Sequence, residues 1–267
     1  MDFFFIICET GNLKRIEKIL EKQNIDIHAE NENAFRLVCY NCDLEIAKLL
    51  YKVSNERKSP INIHADNEEA FRFACYHGYL EIAKWLYEIG NEQKNPINIH
   101  DENEDAFISV CKFGHFEIAK WLYEISIQEG FVIDIHIEEE KAFCLACAYD
   151  HFKIVKWLYD IGDINIHIGN DRAFCFACAN DNFEIAEWLY NMGGIDIHAE
   201  NEDAFRWICF FGNLKVAKWL LKISIGNKDL GVIEYKGIER DWNVLGNTPE
   251  ENRALGRVVE VIAKNNR

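Results

Sequence analysis

Residues 61–87 read INIHADNEEAFRFACYHGYLEIAKWLY, and most of the chain repeats this pattern. Each copy opens with Ile, then Asp or Asn, then Ile and His; an Ala-Phe pair begins six residues after the His, and a Cys follows five residues after that Ala. The histidines are His28, His64, His100, His136, His167 and His198, spaced by 36, 36, 36, 31 and 31 residues. Phe4 and Cys8 lie 31 residues before Phe35 and Cys39, so the N-terminus holds a truncated first unit and there are seven units.

The composition of the 267-residue chain is that of a folded protein. Hydrophobic residues make up 49% and charged residues 28%, whereas a disordered chain contains far less apolar material. No apolar run approaches the roughly 18 residues that span a bilayer, and no basic segment precedes the apolar N-terminal residues. Ten cysteines are too few for a disulfide scaffold. We therefore expect an intracellular, cytoplasmic protein without a membrane span.

Each unit is predicted to form two short helices. The first starts beside an acidic stretch, which suits the positive end of a helix dipole, and its Ala and Cys permit close packing. The second covers residues 80–87 in the quoted unit, with apolar side chains at helical spacing. Between the two helices, one position favours left-handed backbone and holds Gly11, Cys42, Gly78, Gly114, Asp150, Asp181 and Gly212.

The 36-residue units carry five extra residues between the second helix and the next tetrapeptide, at 52–60, 88–96 and 124–132. We expect these residues in loops, with Pro60 and Pro96 stopping the preceding helices. After the repeats, Thr248 and Pro249 begin a last helix that caps the array. The predicted domains are a repeat array over 1–223 and a C-terminal cap over 224–267.

Helix-turn-helix units with a Gly-His-Leu-like turn resemble ankyrin repeats. The resemblance rests on Gly114-His115-Phe116-Glu117-Ile118-Ala119-Lys120-Trp121-Leu122 and on Ala74-Cys75, which looks like the Ala-Ala of that family's first helix. It covers residues 2–222 and is strongest to the divergent ankyrin repeats of giant DNA viruses of amoebae. It implies an all-α solenoid of seven repeats, located in the host cytoplasm if viral. The Thr-Pro-Leu-His start of ankyrin helices is absent, and the 31-residue units are short for the family.

Histidines in register and three Cys-x-x-Cys pairs invite a zinc hypothesis. Equivalent positions in stacked units lie roughly 8–10 Å apart, whereas zinc binds nitrogen at about 2 Å. We therefore expect the imidazoles to bond to backbone at the connecting turns, with no metal or cofactor. The pairs are Cys39/Cys42, Cys144/Cys147 and Cys175/Cys178. Cys144 and Cys175 take the position of Arg36, Arg72, Ile108 and Arg206 in other units, so we expect both to be partly exposed.

Five tryptophans recur on the second helices at Trp85, Trp121, Trp157, Trp188 and Trp219. Their spacing beside Ile-Ala and Leu-Tyr predicts packing between outer helices, with a stacking platform for bases or sugars as the alternative.

The formal net charge of −16 argues against nucleic acid and anionic membranes as partners. Acidic clusters at 101–105, 138–140 and 200–203 are interpreted as helix starts in water or as an acidic edge that attracts a basic partner. The chain has no Gly-rich phosphate loop and no nucleophile elbow, and its His and acidic residues follow the repeat, which predicts a non-enzymatic protein.

Positions that vary between units are free to bind a partner. At the end of each first helix two adjacent positions vary and are rich in aromatic residues. With two arginines of these helices, they give the predicted partner-binding residues Tyr40, Asn41, Arg72, Tyr76, His77, Lys112, Phe113, Tyr149, Asn180, Arg206, Phe210 and Phe211. In proteins resembling ankyrins this surface belongs to the concave recognition face; the alternative is that the rings only pack between units.

The predicted function is a monomeric scaffold that binds another protein bearing a basic patch through its concave face. Two alternatives are a structural viral component that self-associates and an adaptor that presents a target to a ubiquitin ligase. In the adaptor, the tail from Ser224 would recruit the enzyme.

Overall fold

A computed structural model describes residues 3–21, 25–197, 207–208 and 213–225. Over these residues the chain forms helix-turn-helix repeats and no strand, which confirms the predicted all-α repeat architecture. It divides into two compact units, Met1–Asp134 and Ile135–Arg267. The predicted boundary at 223–224 and the capping helix stay predictions, because residues from 226 onward lie outside the described part.

The first compact unit contains four helix pairs: α1 (Phe3–Glu9) with α2 (Leu13–Leu20), α3 (Ala29–Tyr40) with α4 (Leu44–Glu56), α5 (Ala65–Tyr76) with α6 (Leu80–Glu92), and α7 (Asp101–Phe113) with α8 (Phe116–Glu129). The second contains α9 (Ile137–Ala148) with α10 (Phe152–Ile161), α11 (Ile168–Ala179) with α12 (Phe183–Met192), and α13 (Leu214–Ile225). None of the described helices is long and apolar enough to cross a membrane.

The core repeats with the sequence. Each described first helix buries its Phe and Cys, as Phe71 and Cys75 show with 0% exposure. Each second helix buries a Leu, together with an Ile-Ala pair in α4, α6, α8 and α12. Trp85 lies between second helices, with its ring centroid 5.9 Å from Tyr51 and 6.2 Å from Phe35 of the preceding repeat. Trp121 repeats this geometry, so the prediction that the tryptophans pack between outer helices is confirmed.

The opening tetrapeptide has a direct structural reason. Its two Ile side chains are buried, as at Ile61 and Ile63, while the Asp or Asn between them faces out. The oxygen of that side chain accepts the backbone N–H two residues later, at 3.1 Å between Asn62 Oδ1 and His64 N. This Asx turn needs a short side chain with an oxygen, which explains why only Asp and Asn occur there.

The acidic stretch after the His is not the start of a right-handed helix, as expected, but a left-handed turn. Glu30, Asn31 and Glu32 have φ of 53°, 57° and 63°, and the same conformation recurs at 66–68, 102–104, 138–140 and 169–171. Left-handed backbone costs roughly 1–2 kcal/mol for each residue with a side chain. Arg36 offsets part of this cost because its guanidinium donates to the carbonyls of Asn31 and Glu30, at 3.0 and 3.3 Å.

The turn places one carboxylate of each repeat in the interior. Glu32, Glu68, Glu104, Glu140 and Asp171 are between 3% and 7% exposed, so these five acids do not lie in water. Each lies 2.7–2.9 Å from the Nδ1 of the histidine four residues earlier. The expectation that the imidazoles bond to backbone was therefore wrong: the left-handed turn folds a carboxylate back onto the ring.

The same carboxylates connect neighbouring repeats. The backbone N–H of Asn62 donates to Glu32 Oε1 at 3.1 Å, and that of Asn98 to Glu68 Oε1 at 3.4 Å. In the second compact unit, Asn165 and Asp196 donate in the same way to Glu140 and Asp171, at 3.2 and 3.0 Å. We call this arrangement the His-carboxylate link.

The extra residues of the longer units do not all lie in loops. Helices α4, α6 and α8 have 13, 13 and 14 residues, against 10 each for α10 and α12. They end at Glu56, Glu92 and Glu129, so Pro60 and Pro96 do not stop them as expected. In two of the three, a buried serine fixes the connection: Ser54 Oγ accepts the N–H of Ile61 at 3.2 Å, and Ser126 bonds Ile133 similarly.

The predicted left-handed turn between the paired helices is confirmed at six of its seven positions, with φ from 61° to 81°; Gly212 lies outside the described residues. Cys42 adopts φ 64° although it carries a side chain, which is exposed.

We expect Cys42→Gly to stabilise the protein. Left-handed backbone costs roughly 1–2 kcal/mol with a side chain, and glycine returns roughly 0.5–1 kcal/mol of that as unfolded-state entropy. Thermal denaturation should show a higher melting temperature. The matched control is Gly78→Ala, which should destabilise because Gly78 has φ 81° and an added Cβ would lie 2.6 Å from the His115 ring. A lower melting temperature for Cys42→Gly would contradict the argument.

We expect Glu68→Ala to test the His-carboxylate link. The change leaves His64 Nδ1 and the Asn98 N–H without their acceptor, and buried unsatisfied donors cost about 1–3 kcal/mol each. Urea denaturation should therefore show a loss of about 2–6 kcal/mol in the free energy of unfolding. Glu81→Ala, an exposed acid on α6, is the control and should change it by less than about 0.5 kcal/mol. Equal effects of the two variants would refute the role of the link.

Candidate protein-binding surface

The variable aromatic residues of the first compact unit form one continuous row at the ends of α3, α5 and α7. The ring of His77 lies 4.6 Å from that of Tyr40 and 4.8 Å from that of Tyr76, centroid to centroid. Tyr76 in turn lies 4.3 Å from Phe113, and Tyr40 lies 5.4 Å from Phe73. We call these five residues the aromatic ladder.

The rings of the aromatic ladder contact one another and are also partly exposed to solvent. Tyr40 and Tyr76 keep 43% and 41% of their surface in solvent, and His77, Phe73 and Phe113 are half-buried. The alternative that the rings pack between units therefore holds in part, because each ring is only partly covered. The core phenylalanines, by contrast, are fully covered.

The turn after α5 holds the ladder in place. The N–H of Tyr79 donates to the carbonyl of Ala74 at 2.8 Å, which closes the helix end around left-handed Gly78. His115, in the next repeat, lies against Gly78 and places its Nε2 2.9 Å from the carbonyl oxygen of Tyr76. A side chain at Gly78 would collide with that ring, so glycine is required here for two reasons.

The charges around the ladder are few. Partial burial lowers the pKa of His77, and the nearby His115 lowers it further, so His77 favours its neutral form. Lys112 places its ammonium 4.9 Å from the centroid of the Phe113 ring, within cation–π range. A largely uncharged row of rings therefore has a cation at one end.

Arg72, predicted to bind a partner, is held within the array. Its Nε donates to the carbonyl of Asn67 at 2.8 Å, and its Nη1 lies 3.5 Å from Asp105 of the next repeat. Arg36 makes the equivalent contacts, pairing with Asp66 at 2.5 Å and with Glu69. These contacts stabilise the left-handed turns and join repeats.

The predicted residues of the second compact unit are exposed. Tyr149 keeps 50% of its surface in solvent, and Asn180 is exposed with its amide bonded to the carbonyl of Phe176 at 2.9 Å. Phe176 is itself 37% exposed. Arg206, Phe210 and Phe211 lie outside the described residues.

The prediction missed Phe73, Leu37 and Phe176. These residues occupy one position of the first helix, which varies between units as Leu37, Phe73, Ser109, Leu145 and Phe176. Phe73 was not among the predicted partner-binding residues. Variation between units was the available signal, since core positions such as Phe71 do not vary.

Several carboxylates of the acidic edge form contacts inside the array. Asn31 donates to Asp66 at 2.6 Å and Asn67 to Glu102 at 3.1 Å, so side chains of the left-handed turns pair from one repeat to the next. Together with the arginine pairs, these contacts use several of the acids. The remaining exposed carboxylates still give this edge a negative sign.

No group of three or more His, Cys, Asp or Glu in the described part of the chain is arranged to hold a metal ion. Cys144 was expected to be partly exposed but is 2% exposed, whereas Cys175 is half-buried. This position lies beside the neighbouring repeat. The short side chain of Cys144 is covered there, whereas the longer arginine of other units extends to acids of the next repeat. Burial raises the pKa of the Cys144 thiol to about 11, which keeps it protonated.

The family comparison agrees with the repeat geometry. A family model described as ankyrin repeats (3 copies) matches residues 4–98 and 73–170, which together cover more than half of the chain. No curated protein matches the chain significantly.

We expect His77→Gln to flatten the pH dependence of stability. Because the folded pKa of His77 lies below its unfolded value of about 6.5, the unfolded chain takes up the proton first as the pH falls. This contribution to stability is complete above about pH 6.5 and is lost below it. The melting temperature should drop less between about pH 7.5 and about pH 5.5 in the variant than in the wild type. Identical slopes would show that His77 has an unshifted pKa.

Proposed function

The chain belongs to the ankyrin-repeat family, and from that premise we propose that it is a non-enzymatic scaffold that binds a partner protein through the face carrying the aromatic ladder. Ankyrin repeats are generally protein-protein interaction modules and are typically non-enzymatic. The observation that carries the proposal is the row of half-exposed rings that touch one another across three repeats.

Exposed aromatic side chains are costly to leave in water and favourable to cover. Tyr40 and Tyr76 present a large apolar surface, and neighbouring rings restrict their side-chain rotamers. Binding a partner therefore costs little side-chain entropy. In the second compact unit, the proposed binding residues are Tyr149 and Asn180. Lys112 and Asn41 supply polar contacts beside the rings.

The charge of the chain supports a basic partner. Exposed acids such as Glu30, in the left-handed turns, give the edge at the start of the first helices a negative sign, and the whole chain carries −16. A basic patch on the partner would be attracted to this edge, while nucleic acid and anionic membrane would be repelled. In this proposal the protein acts in the cytoplasm as a monomer. Its viral origin stays a prediction.

Affinity purification followed by mass spectrometry tests the proposal. We compare the wild type with the triple variant Tyr40→Ala, Tyr76→Ala and Phe113→Ala, and with the control Phe131→Ala. Phe131 is 76% exposed in the connection after α8 and is not part of the ladder. A partner should be captured by the wild type and the control and lost by the triple variant, whose circular dichroism should stay helical. A partner retained by the triple variant would remove the ladder from consideration.

The kinetics of the captured complex provide a second readout. Raising the salt concentration should slow association by about an order of magnitude with little effect on dissociation, because surface charges govern encounter. The ladder variant should instead dissociate faster, because buried anchors govern residence time. Salt-independent association would contradict the role of the acidic edge.

A further inference from the structure

We propose that the ladder binds an extended, proline-rich segment in the polyproline II conformation, with a basic residue at one end and an acidic residue at the other. This inference rests on the proposed function and names the occupant of the same surface. It depends only on residues of the first compact unit.

The repeat spacing favours this conformation. Equivalent positions on packed helices lie roughly 8–10 Å apart. A polyproline II segment has three residues per turn and rises about 3.1 Å per residue, so it presents the same face about every 9 Å. Every third residue would therefore meet the same position of the next repeat. A β-strand returns to one face about every 7 Å and falls out of register with the repeats.

The hydrogen-bonding groups of the ladder match an extended backbone. The hydroxyls of Tyr40 and Tyr76 and the side-chain amide of Asn41 form no hydrogen bond with other described residues. Polyproline II has no internal hydrogen bonds, so its carbonyl oxygens are available to accept from these groups. A partner α-helix offers no such row, because its carbonyls are already paired. Proline rings also pack well on aromatic surfaces.

Charge complementarity sets the direction of the segment. The position directly after the core Cys of the first helix holds Glu9, Tyr40, Tyr76 and Lys112 in four successive repeats. Glu9 is exposed, and Lys112 lies over the Phe113 ring at the opposite end. A bound segment should therefore place its basic residue at Glu9 and its acidic residue at Lys112. With three residues per repeat, the motif is Arg-x-x-Pro-x-x-Pro-x-x-Asp.

The test uses a fluorescein-labelled ten-residue peptide of this motif, with Pro or Leu at the other positions. Binding is measured by fluorescence polarisation while the protein concentration is raised to about 1 mM. The control peptide has the same composition with the three-residue spacing broken. We expect the periodic peptide to bind at least about tenfold more tightly than the control peptide. Tyr40→Ala with Tyr76→Ala should abolish the difference, and Phe131→Ala should leave it unchanged.

Charge reversal tests the direction. Lys112→Glu should weaken binding of the peptide that ends in Asp and restore binding of a peptide that ends in Lys. A peptide with Arg and Asp exchanged should bind the wild type more weakly.

Equal binding of periodic and control peptides, including no binding of either, overturns the inference, as does tighter binding of a helix-forming peptide. These results leave the proposed function intact if the triple variant still loses the captured partner. If the triple variant retains that partner, the proposed function itself fails.

Discussion

The His-carboxylate link is the interaction on which the repeat geometry depends. One buried carboxylate accepts from an imidazole of its own repeat and from a backbone N–H of the next. The Nε2 atoms of His28, His64 and His100 are buried without a partner among the described residues, so the ring proton belongs on Nδ1, where it has an acceptor. Without the carboxylate, two donors would lose their acceptor at each of Glu32, Glu68, Glu140 and Asp171.

The link and the left-handed turn occur together. Residues 66–68 are all left-handed, and the carboxylate of Glu68 lies against the ring of His64 and accepts a backbone N–H of the next repeat. The strain is retained because Arg36 and Arg72 bond to the carbonyls of the turn and to acids of the following repeat. The strained turn, the His-carboxylate link and the arginine therefore stabilise one another at the acidic end of each first helix that contains all three.

The opposite end of the first helix is left free to differ. There the backbone is closed by left-handed Gly78 and by His115 on the Tyr76 carbonyl, and the side chains at 40, 76, 77 and 113 have no part in the link. Separating the stabilising contacts from the variable residues lets aromatic side chains occur in a row without loss of the fold. This separation is the physical basis for proposing a binding surface at that end.

The sequence by itself determined the number of repeats, the paired helices, the core Phe and Cys of each unit, and the left-handed turn at Cys42, because these depend on residues close in the chain. Only the tertiary structure decided which carboxylate is buried, that Arg72 is held within the array, that Cys144 is covered, and that Phe73 belongs to the ladder. Each of these depends on a neighbouring repeat: Arg72 meets Asp105, and His115 meets a carbonyl 39 residues earlier. A repeat pattern gives the position of a side chain within its own unit, whereas its burial and partners are set by how the units stack.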